Sequence, residues 1–189
     1  MSSFAEVLTG PLEVYLAPAG TAKPDIGTDP PNGDWTLVGQ SGSRNQTEDG
    51  VTIANTPSYT DFTGAGDIDP IKMFIETREQ LVTVNIADLH PDTVATAFHS
   101  EVTESDGVRT VSLEGTNVPK EFALVAKGRS ALTDEEGKHS QWFWPRVANV
   151  SESEMEFTKA EPASHELQFR KLAHDSADAE YDVEEESAT

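Results

Sequence analysis

Thr9-Gly-Pro-Leu-Glu-Val-Tyr-Leu-Ala-Pro-Ala-Gly-Thr21 holds the first strand-like run of this chain, and its middle decides the fold class. Leu12, Val14 and Leu16 alternate with Glu13 and Tyr15, the period of two that sends successive side chains to opposite faces of a strand. A half-buried β-strand is predicted, closed by Pro18 and Gly20. Across a loop rich in Pro, Gly and Asp, Asp34-Trp-Thr-Leu-Val-Gly-Gln-Ser-Gly42 predicts a second strand, and Glu48-Asp-Gly-Val-Thr-Ile53 a third that begins at an Asp-Gly turn. The alternation recurs at Val82, Val84 and Ile86, at Phe122, Leu124 and Ala126, at Trp142 and Trp144, at Met155 and Phe157, and at Leu167 and Phe169.

Helical signals concentrate in one place, from about Pro91 to His99. Proline suits the first helical position, Asp92 suits the positive end of the helix dipole, and Leu89 can staple onto Val94. His90 reads as the cap, and Val94, Ala97 and Phe98 as one apolar stripe. About ten strand candidates around one short helix predict a mainly β chain, a β-sandwich or barrel with one short flanking α-helix. At 189 residues such a chain can bury roughly 70% of its unfolded surface as one domain. That domain is expected over 1–172, with an N-terminal arm over 1–11.

Two segments do not read as core. Asn55-Thr-Pro-Ser-Tyr-Thr-Asp-Phe-Thr-Gly-Ala-Gly-Asp-Ile-Asp-Pro70 carries two prolines, two glycines and isolated aromatics. A long interaction loop over 55–72 is expected, its aromatics placed for docking onto a neighbour. Over 173–189 an acidic tail is expected to be disordered, because Asp175, Asp178, Glu180, Asp182, Glu184, Glu185 and Glu186 stand there without a single Lys or Arg after His174.

Charge bounds the partners. The 34 acidic residues against 13 basic ones give a formal net charge of −21, which opposes nucleic-acid binding driven by phosphate neutralisation. Such an excess fits a high-salt environment, where the Debye length falls to about 3 Å at 1 M, and equally a surface built to repel another polyanion. The chain has no cysteine, so disulfide and thiolate chemistry are excluded. With no apolar run near the ~20 residues of a membrane span and no signal segment, a soluble, unprocessed protein is expected.

Catalytic motifs are incomplete. Gly39-Gln-Ser-Gly-Ser43 has Ser43 where a nucleophile elbow needs glycine, and reads as a turn. Gly137-Lys138 lacks the upstream glycine and following Ser or Thr of a phosphate loop, and reads as a hairpin tip. His90, His99, His139, His165 and His174 show no paired zinc spacing. Neither Asp67-Ile-Asp69 nor Ser105-Asp-Gly107 continues into a calcium loop. Trp142 and Trp144 share a strand face and read as core before sugar or nucleotide pocket. Asn45 and Asn149 match the three-residue glycosylation pattern. No enzyme, catalytic residue, metal or cofactor is expected.

These elements, in order, resemble the major tail tube proteins of long, flexible-tailed (siphovirus-like) viruses of bacteria and archaea. The resemblance is carried by the opening strands, by Glu48-Asp-Gly-Val-Thr-Ile53 leading into the long loop, and by Pro70-Ile-Lys-Met-Phe74. It continues in Glu79-Gln-Leu-Val-Thr-Val-Asn-Ile-Ala-Asp-Leu89 running into the helix, and in Trp142-Phe-Trp-Pro-Arg-Val147. It covers 9–172; the acidity and the tail after His174 depart from it. It implies hexameric rings stacked into a virion tail tube, assembled in the host cytoplasm. Tape-measure and tail-end proteins are then partners, and viral DNA passes through at ejection without specific binding. The acidic excess points to a haloarchaeal virus. Subunit-interface residues are then expected at Phe4, Tyr59, Phe62, Ile68 and Ile71, and lumen-lining residues at Glu152, Glu154 and Glu156. The alternative is a monomeric β-sandwich binding module, a receptor-binding or capsid-decorating domain.

Overall fold

Alternating apolar residues gave the expected strands, but several of those strands are covered on both faces. The structure, a computed structural model, describes residues 12–28, 30–39, 46–63, 69–87, 90–114, 118–129, 139–152, 165–173 and 183–185. In chain order these form β1 (Glu13–Pro18), β2 (Thr36–Leu37), β3 (Gln46–Phe62), β4 (Lys72–Ile86), α1 (Pro91–Ala97), β5 (Val102–Ser105) and β6 (Val108–Val111). There follow β7 (Glu121–Arg129), β8 (His139–Asn149), β9 (His165–Lys171) and β10 (Val183–Glu185). The protein is mainly β with one short helix. Among the described residues, no helix is long and apolar enough to cross a membrane.

An eight-stranded antiparallel sheet runs β2-β1-β7-β8-β9-β4-β3, with β10 joining β8; β5 and β6 form a separate hairpin. One edge of β8 is shared, since β10 pairs with Ser140 to Trp142 and β9 with Val147 to Asn149. On one face Val14 and Leu16 of β1 join Leu124 and Ala126 of β7, Trp144 and Val147 of β8, Leu167 and Phe169 of β9, and Val82, Val84 and Ile86 of β4. Side chains from strands this far apart in the sheet meet in a single cluster, so the sheet curls around them. No pairing joins β2 to β3 among the described strands, and the expected barrel is therefore not closed.

The other face carries a second core of Tyr15, Ala17, Trp35, Ala123, Val125 and Phe143. Trp35 meets Phe143 edge-on at 6.2 Å between ring centres, a favoured aromatic geometry. β1 is thus buried on both sides from Val14 to Ala17, where half burial was expected. The 19–34 connection lies over this face, and buried polar groups fasten it. Lys127 Nζ donates to the carbonyl oxygens of Thr28 and Asp25, and Gln141 Nε2 to that of Pro24 at 3.1 Å.

Two sequence expectations change outright. The segment expected as a long loop from Asn55 is strand as far as Phe62, paired with β4 down to Phe62 opposite Lys72, with one register shift between Ser58 and Tyr59. Pro57 is tolerated because among the described strands β3 lies at the edge, with β4 on one side only, so its missing N–H breaks no second ladder there. Thr56, Tyr59, Thr60 and Phe62 are strong strand formers that outweigh it. The expected third-strand start at Asp49-Gly50 is likewise inside β3, where Gly50 has φ +59° at a register shift. In the tail, Val183–Glu185 forms a short strand paired with β8; the rest of the expected tail after Ala173 lies outside the described residues. The Met155 and Phe157 alternation and the Gly137-Lys138 tip lie outside the described residues.

α1 starts as expected, with His90 at the cap and Pro91 in the first turn. It buries Thr93, Ala95 and Ala97, while Val94 and Phe98 are half-buried, so its contacts are wider than one stripe. Its end forms a Schellman motif: Ser100 N–H donates to Ala95 O at 2.7 Å and His99 N–H to Thr96 O at 3.3 Å. His99 occupies the left-handed position (φ 51°) that usually takes glycine. It is fixed there by Lys120, whose backbone N–H donates to His99 Nδ1 at 3.3 Å. Asn149 is fully buried, its amide donating to Thr96 O and its oxygen accepting from Ser151 N–H, which leaves no room for a glycan. The Asp106-Gly107 turn between β5 and β6 has φ of 52° and 76°, the positive values a two-residue hairpin requires.

Burial, and after it the Lys120 charge, lowers the His99 pKa below its ordinary value. A histidine depressed on folding contributes stability above its unfolded pKa that is lost as pH falls through the folded one. Denaturant unfolding should therefore show stability declining from pH 7 toward pH 5 more steeply in the parent than in His99→Asn, which tolerates the left-handed backbone but does not titrate. Equal slopes would remove His99 from the pH response.

Candidate functional site

β4 leaves the sheet halfway along its length. Among the described strands, β9 pairs with it only from Leu81 to Ile86, so from Gln80 to Lys72 its single described partner is β3. Trp144 Nε1 donates to Gln80 Oε1 at 3.3 Å where the strand departs. Beyond it β3 and β4 form a two-stranded arm. At about 3.3 Å per residue, Asn55 to Phe62 extends roughly 26 Å.

Register assigns the arm's faces. Tyr59 is opposite Ile75 and Asp61 opposite Met73, so these four share one face; Thr60 opposite Phe74 and Phe62 opposite Lys72 share the other. Tyr59, Phe62, Ile71, Met73, Phe74 and Ile75 are all between 49% and 63% exposed. Both faces of the arm therefore present large apolar side chains to solvent. The stem is polar: Ser58 and Thr77 hydroxyls meet at 2.6 Å, and Thr60 Oγ1 donates to Glu76 at 2.8 Å. Lys72 Nζ lies 5.0 Å over the Phe74 ring, within cation–π range.

The structure places Tyr59, Phe62 and Ile71, all expected as interface residues, exposed on the outer part of one arm, with Tyr59 and Phe62 on opposite faces. Phe4 and Ile68 lie outside the described residues. Met73, Phe74 and Ile75 complete the arm and were not singled out; three consecutive apolar residues facing both sides of a strand were the available signal. Of the acidic trio, Glu152 is exposed after β8, and Glu154 and Glu156 lie outside the described residues.

A second feature escaped sequence reading. A cavity of about 280 Å³ opens between the end of β1, the 34–39 segment, α1 and the start of β7. Leu16, Leu37 and Phe122 give it apolar walls, and Asp34, His90, Asp92 and Glu121 a polar rim. Arg109 donates to both Asp92 oxygens at 2.7 and 2.9 Å, tying α1 to β6, and His90 Nδ1 is 3.0 Å from Asp92. Arg146 grips Glu121 in the same two-pronged way at 2.8 and 3.0 Å. These bonds hold the Glu121 carboxyl below its ordinary pKa. Such pairing makes the rim a set of structural clasps.

No protein-family model and no curated protein matches this chain.

If the arm's apolar residues serve contact with another molecule, they should matter little to the folding of a single chain. Tyr59→Ser and Phe74→Ser are expected to change the unfolding free energy of the monomer by no more than about 0.5 kcal/mol. Leu124→Ala, in the core, should cost about 2–5 kcal/mol. A cost of core size at Phe74, measured by urea unfolding, would mean the arm is packed against its own chain.

Proposed function

We propose that this protein is a self-assembling structural subunit whose copies stack as rings into the tail tube of a virus, the conduit through which the genome leaves. The observation that carries the reading is the projecting arm. A two-stranded ribbon is at best marginally stable alone in water, and large apolar residues on both of its faces are what a segment needs that becomes ordered and buried against a neighbour. The open edge of β3 supports the same reading, because adjoining subunits can complete a sheet that one chain leaves unclosed. The acidity supports it too: a lumen lined with carboxylates repels phosphate and lets DNA slide. The protein acts by position and surface, with no catalytic step.

Copies that each carry −21 repel one another, and screening weakens that repulsion as salt rises. Negative-stain microscopy of the concentrated protein should show few assemblies at low salt and rings or filaments toward molar salt. A monodisperse monomer at every salt concentration would support a monomeric binding module instead.

Ser58 and Thr77 face each other across the arm, so an Asn-Gly turn can replace residues 59–76 without disturbing the stem. The shortened chain should keep the far-ultraviolet dichroism of a folded β protein and fail to form rings or filaments. Normal assemblies from it would remove the arm from the interface.

A further inference from the structure

In hydrogen-bond order, the arm strands β3 and β4 end the sheet on one side, and β1 and β2 end it on the other. The cavity beneath α1 belongs to that second side, with Leu16, Leu37 and Phe122 among its apolar walls. Its rim carboxylates differ in a way that matters. Asp92 carries the Arg109 guanidinium and Glu121 that of Arg146, whereas Asp34 has no ion-pair partner among the described residues. The arm offers the matching chemistry on the face that holds Phe62 and Phe74. There the basic residue is Lys72, extended over the Phe74 ring and exposed.

We propose that the cavity is the seat for the arm of a second copy of this chain, with Phe74 against the apolar walls and Lys72 paired to Asp34. The proposal rests on the self-assembly reading above and adds where the arm goes. Two physical points favour a second copy as the occupant. An apolar ring beside one cation matches an apolar cavity with one uncompensated carboxylate. A chain that donates from one end of its sheet and accepts at the other makes a head-to-tail contact, which continues from copy to copy and either closes into a ring or winds into a helix. The clasped carboxylates have a part in this as well: with Asp92 and Glu121 neutralised by arginines, a like-charged neighbour approaches a rim that is less negative than the surface around it.

The chain has no cysteine, so introduced thiols report on one pair at a time. Lys72→Cys protein is mixed with Asp34→Cys protein at the lowest salt that supports assembly, oxidised, and run on a non-reducing gel. A disulfide-linked dimer is expected from this mixture and not from Lys72→Cys mixed with Thr103→Cys, which places the second thiol on the β5–β6 hairpin. In the same buffer Lys72→Glu should raise the concentration needed for assembly by about tenfold or more, since like charges brought together cost over 1.4 kcal/mol. Adding Asp34→Lys to that chain should restore it. Rings or filaments that form without the 72–34 disulfide and ignore Lys72→Glu would overturn the seat and leave self-assembly standing. A disulfide found only within a single chain carrying both thiols would also overturn it, because the arm would then close on its own cavity. Monomers under every condition would overturn self-assembly, and the seat with it.

Discussion

β4 is one strand in two environments, and the rest of the molecule depends on how it is held. From Leu81 to Ile86 it lies between β9 and β3, with Val82, Val84 and Ile86 essentially without solvent exposure. Burying three such side chains contributes on the order of 1.5–3 kcal/mol each before entropy is counted. From Gln80 outward the same backbone has β3 alone among the described strands. The buried half fixes the strand's direction, and the ladder carries it into the exposed half, where the register shifts once between Ser58 and Tyr59. Anchorage of this kind is what lets a ribbon that is marginal by itself stand out from the sheet. The Ser58–Thr77 hydroxyl pair and the Thr60–Glu76 bond then stiffen the part that no core reaches.

The opposite end of the sheet is built by different means. There the 19–34 connection, poor in large apolar residues, is held to the second face by carbonyl oxygens turned onto Lys127 and Gln141. A buried ammonium needs acceptors, and the connection supplies them from its backbone. Next to this attachment Trp35 meets Phe143, and Asp34 is among the residues that line the cavity.

The core was legible in the sequence because alternation is a local property. Val82, Val84, Leu124, Ala126, Leu167 and Phe169 all point to the core face that their period of two assigns. The helix was legible from Pro91 and Asp92. What failed depended on partners distant in the chain. Pro57 and the glycines beyond Phe62 spoke for a loop, and only the pairing with Lys72 to Gln80 makes that stretch a strand. Tyr15 read as the polar side of β1 because nothing near it announces that Trp35 and Phe143 cover it. Val183–Glu185 gains its structure from an edge of β8 left open by the short β9 contact, which the composition of an acidic tail does not encode. Of the candidate site, the aromatics Tyr59 and Phe62 were visible as apolar residues without a core. The cavity was not, since β1, α1 and β7 contribute to it from widely separated positions.

An acidic chain with an apolar arm sets two forces of different range against each other. Repulsion between copies acts over the Debye length, about 10 Å at 0.1 M salt and 3 Å at 1 M. Burial of Tyr59, Phe62, Phe74 and Ile75 acts only at contact, and excluded salts strengthen it. If copies assemble as proposed, at low salt the long-range term would keep them apart before the short-range one can operate; at high salt the repulsion would retreat inside contact distance and the arm would decide the outcome. Were the arm polar, removing the repulsion would leave nothing to hold copies together, and were the chain neutral, the same arm would invite association in every direction. In the proposed assembly, the surplus of carboxylates would confine attachment to the place where apolar surface and relieved charge coincide. On this molecule both conditions meet at the arm and at the cavity whose flanking carboxylates are already clasped by Arg109 and Arg146.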